Sequence, residues 1–185
     1  MKAPLLSIKF EGAGQIFIDD ILKICHNTRM KEIKGNLFDG EYDILAHCAN
    51  SYCTFGAGVA KQIEERYPEA FTADLATKDL GENKLGRYSQ AIVNDGKLAI
   101  VNIYGQIGIG NDGDPLNRNA QYDLLFDALY TLAIRTAKIR LGEKVVIGVP
   151  RLGCGLAGGS WRIVEAILLT IEELFPNIEF HVYTP

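Results

Sequence analysis

Short apolar runs alternate along this chain with longer stretches whose apolar residues recur at helical spacing. Residues 5–10, 30–34, 43–48, 88–93, 98–103, 145–149 and 179–183 read as strands. Residues 15–27, 58–67, 69–78, 118–140 and 161–175 read as helices. The run Ile44-Leu45-Ala46 has no polar break, as a strand buried on both faces requires. The helix over 58–67 is stopped by Pro68, since proline disfavours helical geometry in the residue before it, and the short helix after it ends near Gly81. Asn94-Asp95-Gly96-Lys97 separates two strands and predicts a hairpin, because Asp-Gly readily adopts the positive φ angles of tight turns. Residues 105–117 carry four glycines, two aspartates and Pro115 with little periodicity, and read as a loop. The longest helical pattern, 118–140, offers Leu124, Leu125, Ala128, Leu132 and Ile139 to a core. Strands and helices in this alternation predict a three-layer α/β/α sandwich around a mixed, mainly parallel sheet, with ligands expected outside the carboxyl ends of the strands.

At 185 residues and 48% hydrophobic, the chain fits one domain with a sizeable core, in which residues 1–29 form a strand-helix extension and 30–185 the core. A net charge of -4 and a pI near 5.4 give no electrostatic footprint for duplex nucleic acid. No stretch approaches about 18 uninterrupted apolar residues and the N-terminus has no sustained apolar region, so a cytoplasmic protein without a membrane partner is expected. The four cysteines, Cys25, Cys48, Cys53 and Cys154, are too scattered for a disulfide framework and suit a reducing compartment. Cys48 and Cys53 beside His47 lack the spacing and the second ligand pair of a zinc site, and no metal or other cofactor is expected.

Two glycine-rich turns change this picture. Gly56-Ala57-Gly58-Val59 follows the strand 43–48, and Gly153-Cys154-Gly155-Leu156-Ala157-Gly158-Gly159 follows the strand 145–149. Each precedes a helix. Glycine lets the backbone approach an anion, and the N–H groups of the following helix start point at it, backed by the helix dipole. Two such turns on one rim of a sheet suggest a diphosphate.

The motifs Gly35-Asn36-Leu37-Phe38, Ile44-Leu45-Ala46-His47-Cys48-Ala49-Asn50, Gly56-Ala57-Gly58-Val59-Ala60 and Val149-Pro150-Arg151-Leu152-Gly153-Cys154-Gly155-Leu156 occur in that order. Together they resemble the macro domain, the ADP-ribose-binding fold, over roughly residues 30 to 185. The nearest likeness is to the branch that contains ADP-ribose 1''-phosphate phosphatases and the terminal ADP-ribose protein glycohydrolase, which also shares an ending like Val182-Tyr183-Thr184.

The resemblance implies that Gly56, Ala57, Gly58 and Val59, with Gly153, Cys154, Gly155, Leu156 and Ala157, hold the two phosphates, and that the second loop walls the distal ribose. Asn36 stands where the family has an acidic residue that accepts from the adenine amino group. Its amide oxygen can still accept, and Leu37 can offer its backbone N–H. Tyr183 is the candidate to pack on the adenine, a contact worth about 1–3 kcal/mol per base. Asn50 corresponds to the asparagine that contacts the distal ribose, or else closes the turn after its strand. His47, read as the last residue of a buried strand, either orients and protonates a phosphate leaving group or is a satisfied core histidine. His26 and His181 have no motif around them.

The departures are specific. Where the glycohydrolase branch places a lysine and an aspartate, this chain has Tyr104-Gly105-Gln106 and Ala157, and Ala60 stands where other macro hydrolases carry an aspartate. Lysine-adduct chemistry therefore has no machinery. Three function classes stand open, led by a phosphatase of ADP-ribose 1''-phosphate using His47 and Asn50, then a non-catalytic reader of ADP-ribose or ADP-ribosylated protein, and last a thiol enzyme or redox protein built on Cys48, Cys53 and Cys154. A hydrolase of ADP-ribosyl groups with an atypical site is a further alternative. Asp112 and Asp114 read as solvated loop residues, Arg151 as a rim salt bridge or phosphate contact, and Trp161 as a core anchor.

Overall fold

The apolar runs assemble into one sheet in a computed structural model that describes residues 30–77, 79, 81–108 and 118–185. The strand and helix expected over 5–10 and 15–27, Cys25, His26, and most of the 105–117 loop with Asp112 and Asp114 lie outside the described residues.

Six strands, β1 (Lys31–Lys34), β2 (Ile44–Asn50), β3 (Tyr88–Val93), β4 (Leu98–Gln106), β5 (Val145–Pro150) and β6 (Ile178–Thr184), lie in the order β1-β6-β5-β2-β4-β3. Every neighbouring pair is parallel except β3 and β4. Those two form the expected hairpin, in register from Val93 opposite Leu98 to Tyr88 opposite Ile103. Asn94, Asp95 and Gly96 all have positive φ in its turn, which Asn and Asp tolerate better than other side chains.

Among the described residues four helices cover the two faces: α1 (Gly58–Arg66), α2 (Pro68–Leu75), α3 (Tyr122–Ile139) and α4 (Trp161–Leu174). Alternation along β2 divides the core. Ile44 and Ala46 join Leu125, Leu129 and Leu132 of α3 and Val164, Leu168 and Ile171 of α4. Leu45 and Ala49 face the other way, toward Ile63 of α1, Ala70 of α2, Phe55 and Tyr104. Burying each such large side chain contributes about 1.5–3 kcal/mol, which is why the central strand reads as a continuous apolar run. The protein is thus the expected three-layer sandwich.

The boundaries depart from the sequence reading where tertiary bonds compete with local pattern. The helix expected from 118 begins at Tyr122, because Asn119 and Ala120 donate from their backbones to the Ala157 carbonyl and Gln121 donates to Gly105. Ile139, expected in the core, is 69% exposed, whereas Leu129 and Ala133 are buried. α2 stops at Leu75, short of 78, because the Asp74 carbonyl accepts from Thr77 and from Lys84 Nζ. β2 runs to Asn50 and β4 to Gln106, where the two pair across a bulge, so His47 is a mid-strand residue and Gly105 belongs to a strand.

Lys84, on a 3-10 turn (Gly81–Lys84), is 1% exposed and forms an ion pair with Asp74 of α2, which is fully buried. Lys84 Nζ also donates to Cys53 Sγ at 2.9 Å and lies 4.3 Å from the centre of the Tyr104 ring. Removing one partner leaves the other as an uncompensated buried charge. Lys84→Met or Asp74→Leu is therefore expected to cost about 3–5 kcal/mol in urea unfolding, and the double substitution clearly less than the sum. Additive losses would show that the pair does not act as a unit.

Candidate functional site

The central strands β2 and β5 pair only through Ile44 with Ile147 and Leu45 with Gly148. Beyond that point they part. β2 leads into the first glycine turn and α1 on one face, while β5 leads into the second turn and α4 on the other, so a crevice opens at their carboxyl ends where the connections diverge. It holds a cavity of about 270 Å³ lined by His47, Cys48 and Asn50 of β2, Thr54, the residues Gly56, Ala57, Gly58, Val59 and Ala60, Gln106 of β4, Pro150 and Arg151, and Gly153, Gly155, Leu156 and Ala157. The two glycine turns expected on one rim do face one another.

The first turn ends at Ala57, the N-cap of α1, which has no side chain to bond the helix start, and the first helical turn holds no acidic residue. The amide groups there lack intrahelical partners and sit at the positive end of the helix dipole. The second turn closes on itself: Gly159 N–H donates to Gly153 O at 2.8 Å and Gly158 N–H to Gly155 O at 3.0 Å. Gly153 has a φ of +64°, and a Cβ on residue 159 would fall 2.6 Å from the Gly153 carbonyl oxygen, so glycine is required at both ends. Of the described side chains that line the cavity, Arg151 alone carries a formal charge at neutral pH. Its guanidinium lies 3.7 Å from Glu32 and over the Trp161 ring, 5.1 Å from the ring centre, while Trp161 Nε1 donates to Glu32.

His47 is 1% exposed. Burial lowers its pKa to about 4, although hydrogen bonding to Asn102, the charge of Asp74 and, more weakly, the Cys48 main chain favour the cation. The ring is edge-on to Phe55, with centres 5.3 Å apart. Nε2 lies 2.7 Å from Asn102 Oδ1, and Nδ1 has no hydrogen-bond partner. A histidine that titrates near neutrality is not what burial provides here: at pH 7 the imidazole is neutral.

Asn50 closes the turn after β2, accepting from Tyr52 N–H and donating to Thr54 O at 2.6 Å, yet it also borders the cavity. Cys48 lines the cavity too, but burial pushes its thiol up to about 12, against a smaller lowering by the Gly105 backbone, and burial pushes Cys154 up to about 11. Neither is a thiolate at neutral pH, which argues against Cys48 and Cys154 as nucleophiles. Among the described residues no group of three or more His, Cys, Asp or Glu could hold a metal ion.

Asn36, Leu37, Cys154 and Tyr183 do not line this cavity. Asn36 Oδ1 accepts from Phe38 N–H and caps a short 3-10 turn (Leu37–Asp39). Tyr183 is buried edge-on to Tyr42 at 6.0 Å and against Gly40, which leaves little ring free to cover a base. Cys154 Sγ donates to Leu152 O. Asn102, missed in the sequence reading, had one visible signal: it is the lone polar residue in Leu98-Ala99-Ile100-Val101-Asn102-Ile103.

No family model matches the chain. It is 31% identical over 150 residues to an uncharacterized 17.5 kDa protein of the tk-vs intergenic region of phage T4, a match covering 76% of this chain and 88% of that protein. It is 30% identical over 152 residues to the DNA ADP-ribosyl glycohydrolase of Mycobacterium tuberculosis, covering 82% of this chain but only 41% of that protein. Among solved structures, the macrodomain of Mycobacterium tuberculosis DarG superposes with a TM-score of 0.66 over 86% of this chain and 99% of that one, at 20% identity. With a six-stranded mixed sheet between helices, a crevice between two glycine turns, and these likenesses, the chain has the macrodomain fold.

Proposed function

We propose that the chain is a reader of ADP-ribose that takes the free nucleotide or the ADP-ribosyl end of a modified macromolecule into the crevice between β2 and β5. The observation that carries this reading is the character of the cavity wall, which among the described residues offers uncapped backbone N–H groups and one cation but no carboxylate, amine or thiolate. Backbone dipoles bind a diphosphate without demanding a basic protein. The first glycine turn would hold one phosphate, the second turn the other, and the distal ribose would lie over His47 and Asn50. Asn36 and Leu37 remain the proposed adenine side, with Tyr183 offering the base only the small part of its ring left free.

A second reading, hydrolysis of ADP-ribose 1''-phosphate, is favoured by His47 and Asn50 both bordering the cavity. A base with a pKa of about 4 removes a proton poorly at neutral pH, and a neutral ring bound through Nε2–H donates poorly to a leaving group, so turnover by this route is expected to be weak. Hydrolysis of an ADP-ribosyl bond is likewise expected to be weak, since among the described residues no lysine lines the cavity.

Calorimetric titration with ADP-ribose is expected to give one saturable site with a Kd of about 1–100 μM. Gly56→Glu puts an anion into open space beside the phosphates and is expected to weaken binding about tenfold or more without unfolding the chain. Unchanged affinity would remove the first turn from the site. Phosphorus NMR with ADP-ribose 1''-phosphate is expected to show no steady phosphate release; release abolished by His47→Ala would establish the phosphatase instead.

The His47 environment also sets a pH dependence. Between about pH 6.5 and pH 4 the unfolded chain binds a proton at His47 that the folded chain refuses, so this residue's contribution to stability is full above pH 6.5 and is lost as the pH falls toward 4. Urea midpoints are expected to drop across that window in the parent chain and to drop less in His47→Gln; equal slopes would place the histidine in water.

A further inference from the structure

Lys84 and Cys53 bring an amine and a thiol into contact outside the lining of the crevice. Lys84 Nζ lies 2.9 Å from Cys53 Sγ and 3.2 Å from the Asp74 carbonyl oxygen, and is ion-paired with the Asp74 carboxylate. The sulfur in turn donates to the same carbonyl at 3.6 Å. The main chain also ties the two segments together, since Gly81 N–H at the start of the Lys84 turn donates to Ser51 O at 3.0 Å. The nitrogen belongs to a residue that is 1% exposed, whereas Cys53 keeps part of its surface in solvent.

A lysine chain loses its rotamer freedom only where its nitrogen is held on several sides. Here the holders are the carboxylate and the carbonyl of Asp74 and the Tyr104 ring, whose centre is 4.3 Å away, and both residues are in the core. Cys53 has a φ of +55°, a conformation that side chains rarely adopt, and in it the sulfur meets the amine. A separation of 2.9 Å is inside the about 3–3.5 Å from which two positioned atoms react without first having to find one another. What the pair lacks is an electron acceptor: a thiol and an amine do not join unless the sulfur is first oxidised.

We propose that Cys53 and Lys84 form a modification site for hydrogen peroxide, at which Sγ becomes joined to Nζ by a sulfur–nitrogen bond. In the first step the O–O bond of the peroxide breaks and an S–O bond forms; sulfur gives up two electrons, one water leaves, and Cys53 stands as the sulfenic acid. In the second, one proton moves from Nζ to the paired Asp74 carboxylate and on to water. The freed electron pair attacks Sγ, the S–N bond forms as the S–O bond breaks, and the departing hydroxide takes a second proton from nitrogen and leaves as water. One thiol, one ammonium and one peroxide thus give one link, two waters and one proton. Cys48 and Cys154 are poor targets by comparison, since the thiolate is the form that attacks peroxide and burial pushes their thiols up to about 12 and about 11. The link does not depend on what the crevice binds.

Peroxide treatment of the reduced full chain, followed by intact mass and tryptic mapping, tests this. The parent chain is expected to lose about 2 Da, the two hydrogens given up when the S–N bond forms. Trypsin is expected no longer to cut after Lys84, so that the peptide 79–87 appears joined to the peptide 35–61, with fragmentation placing the link on Cys53 rather than Cys48. A thiol reductant is expected to restore the parent mass and the cut. Cys53→Ser leaves the Lys84–Asp74 pair in place and is expected to fold and to give no link. Lys84→Met is expected to carry Cys53 on to the sulfinic acid, and should that variant fail to fold, the parent map and Cys53→Ser still decide. Sulfinic acid at Cys53 in the parent chain with the cut after Lys84 intact overturns the proposal, as does a chain that peroxide leaves unchanged. A disulfide at Cys53, which also removes about 2 Da but leaves the cut, overturns it too. A joined pair heavier by one oxygen overturns the sulfur–nitrogen bond.

Discussion

The fully buried carboxylate of Asp74 organises the polar interior of this protein. It sits on α2, accepts from Tyr104 of β4, and is neutralised by Lys84 from the turn before β3. Through Tyr104, Ser89 and Asn102 its charge orders the donors of β3 and β4 as far as His47 of β2. Through Lys84 it reaches Cys53, which has a positive φ at the approach to the first glycine turn. One charge therefore ties a helix, three strands and the loop that forms one wall of the crevice. Such a network is costly when broken and directional when whole, since each bond polarises the next.

The site arises from a division of labour. The sheet makes the crevice by letting β2 and β5 separate after two paired residues. The glycine turns supply electropositive backbone, and Arg151 adds a single charge at the rim. This is how a chain with a net charge of -4 can offer a place for a dianionic ligand. The side chains at the floor contribute neutral hydrogen-bonding groups. His47 is held uncharged by burial, and Asn50 is occupied in closing its own turn. That chemistry does not suit proton transfer.

Much of this was legible in the chain. The order of strands and helices, the hairpin at Asn94-Asp95-Gly96-Lys97 and the layered architecture follow from apolar periodicity and turn chemistry, which are local properties. The two glycine turns were legible as partners because each follows an apolar strand, and parallel strands bring their carboxyl ends to one rim. Where competing bonds were distant, the reading slipped. The start of α3 is moved by the Ala157 carbonyl, which is far away in sequence, and the end of α2 by Lys84.

By itself, then, the sequence determined the class of fold, the rim on which a ligand would lie, and the residue types at hand: His47, Asn50, the glycines, and the absence of a lysine in Tyr104-Gly105-Gln106 and of an acid at Ala157. Only the tertiary structure decided what those residues can do. Whether a histidine is charged depends on how much water reaches it and which group faces each nitrogen, and here both are settled by residues from β3, β4 and α2 that no spacing rule links to it. The same holds for Lys84, whose 1% exposure no local pattern of the chain announces. Periodicity records which face of an element is apolar; the partner of a buried polar atom is chosen by the packing of segments distant in the chain.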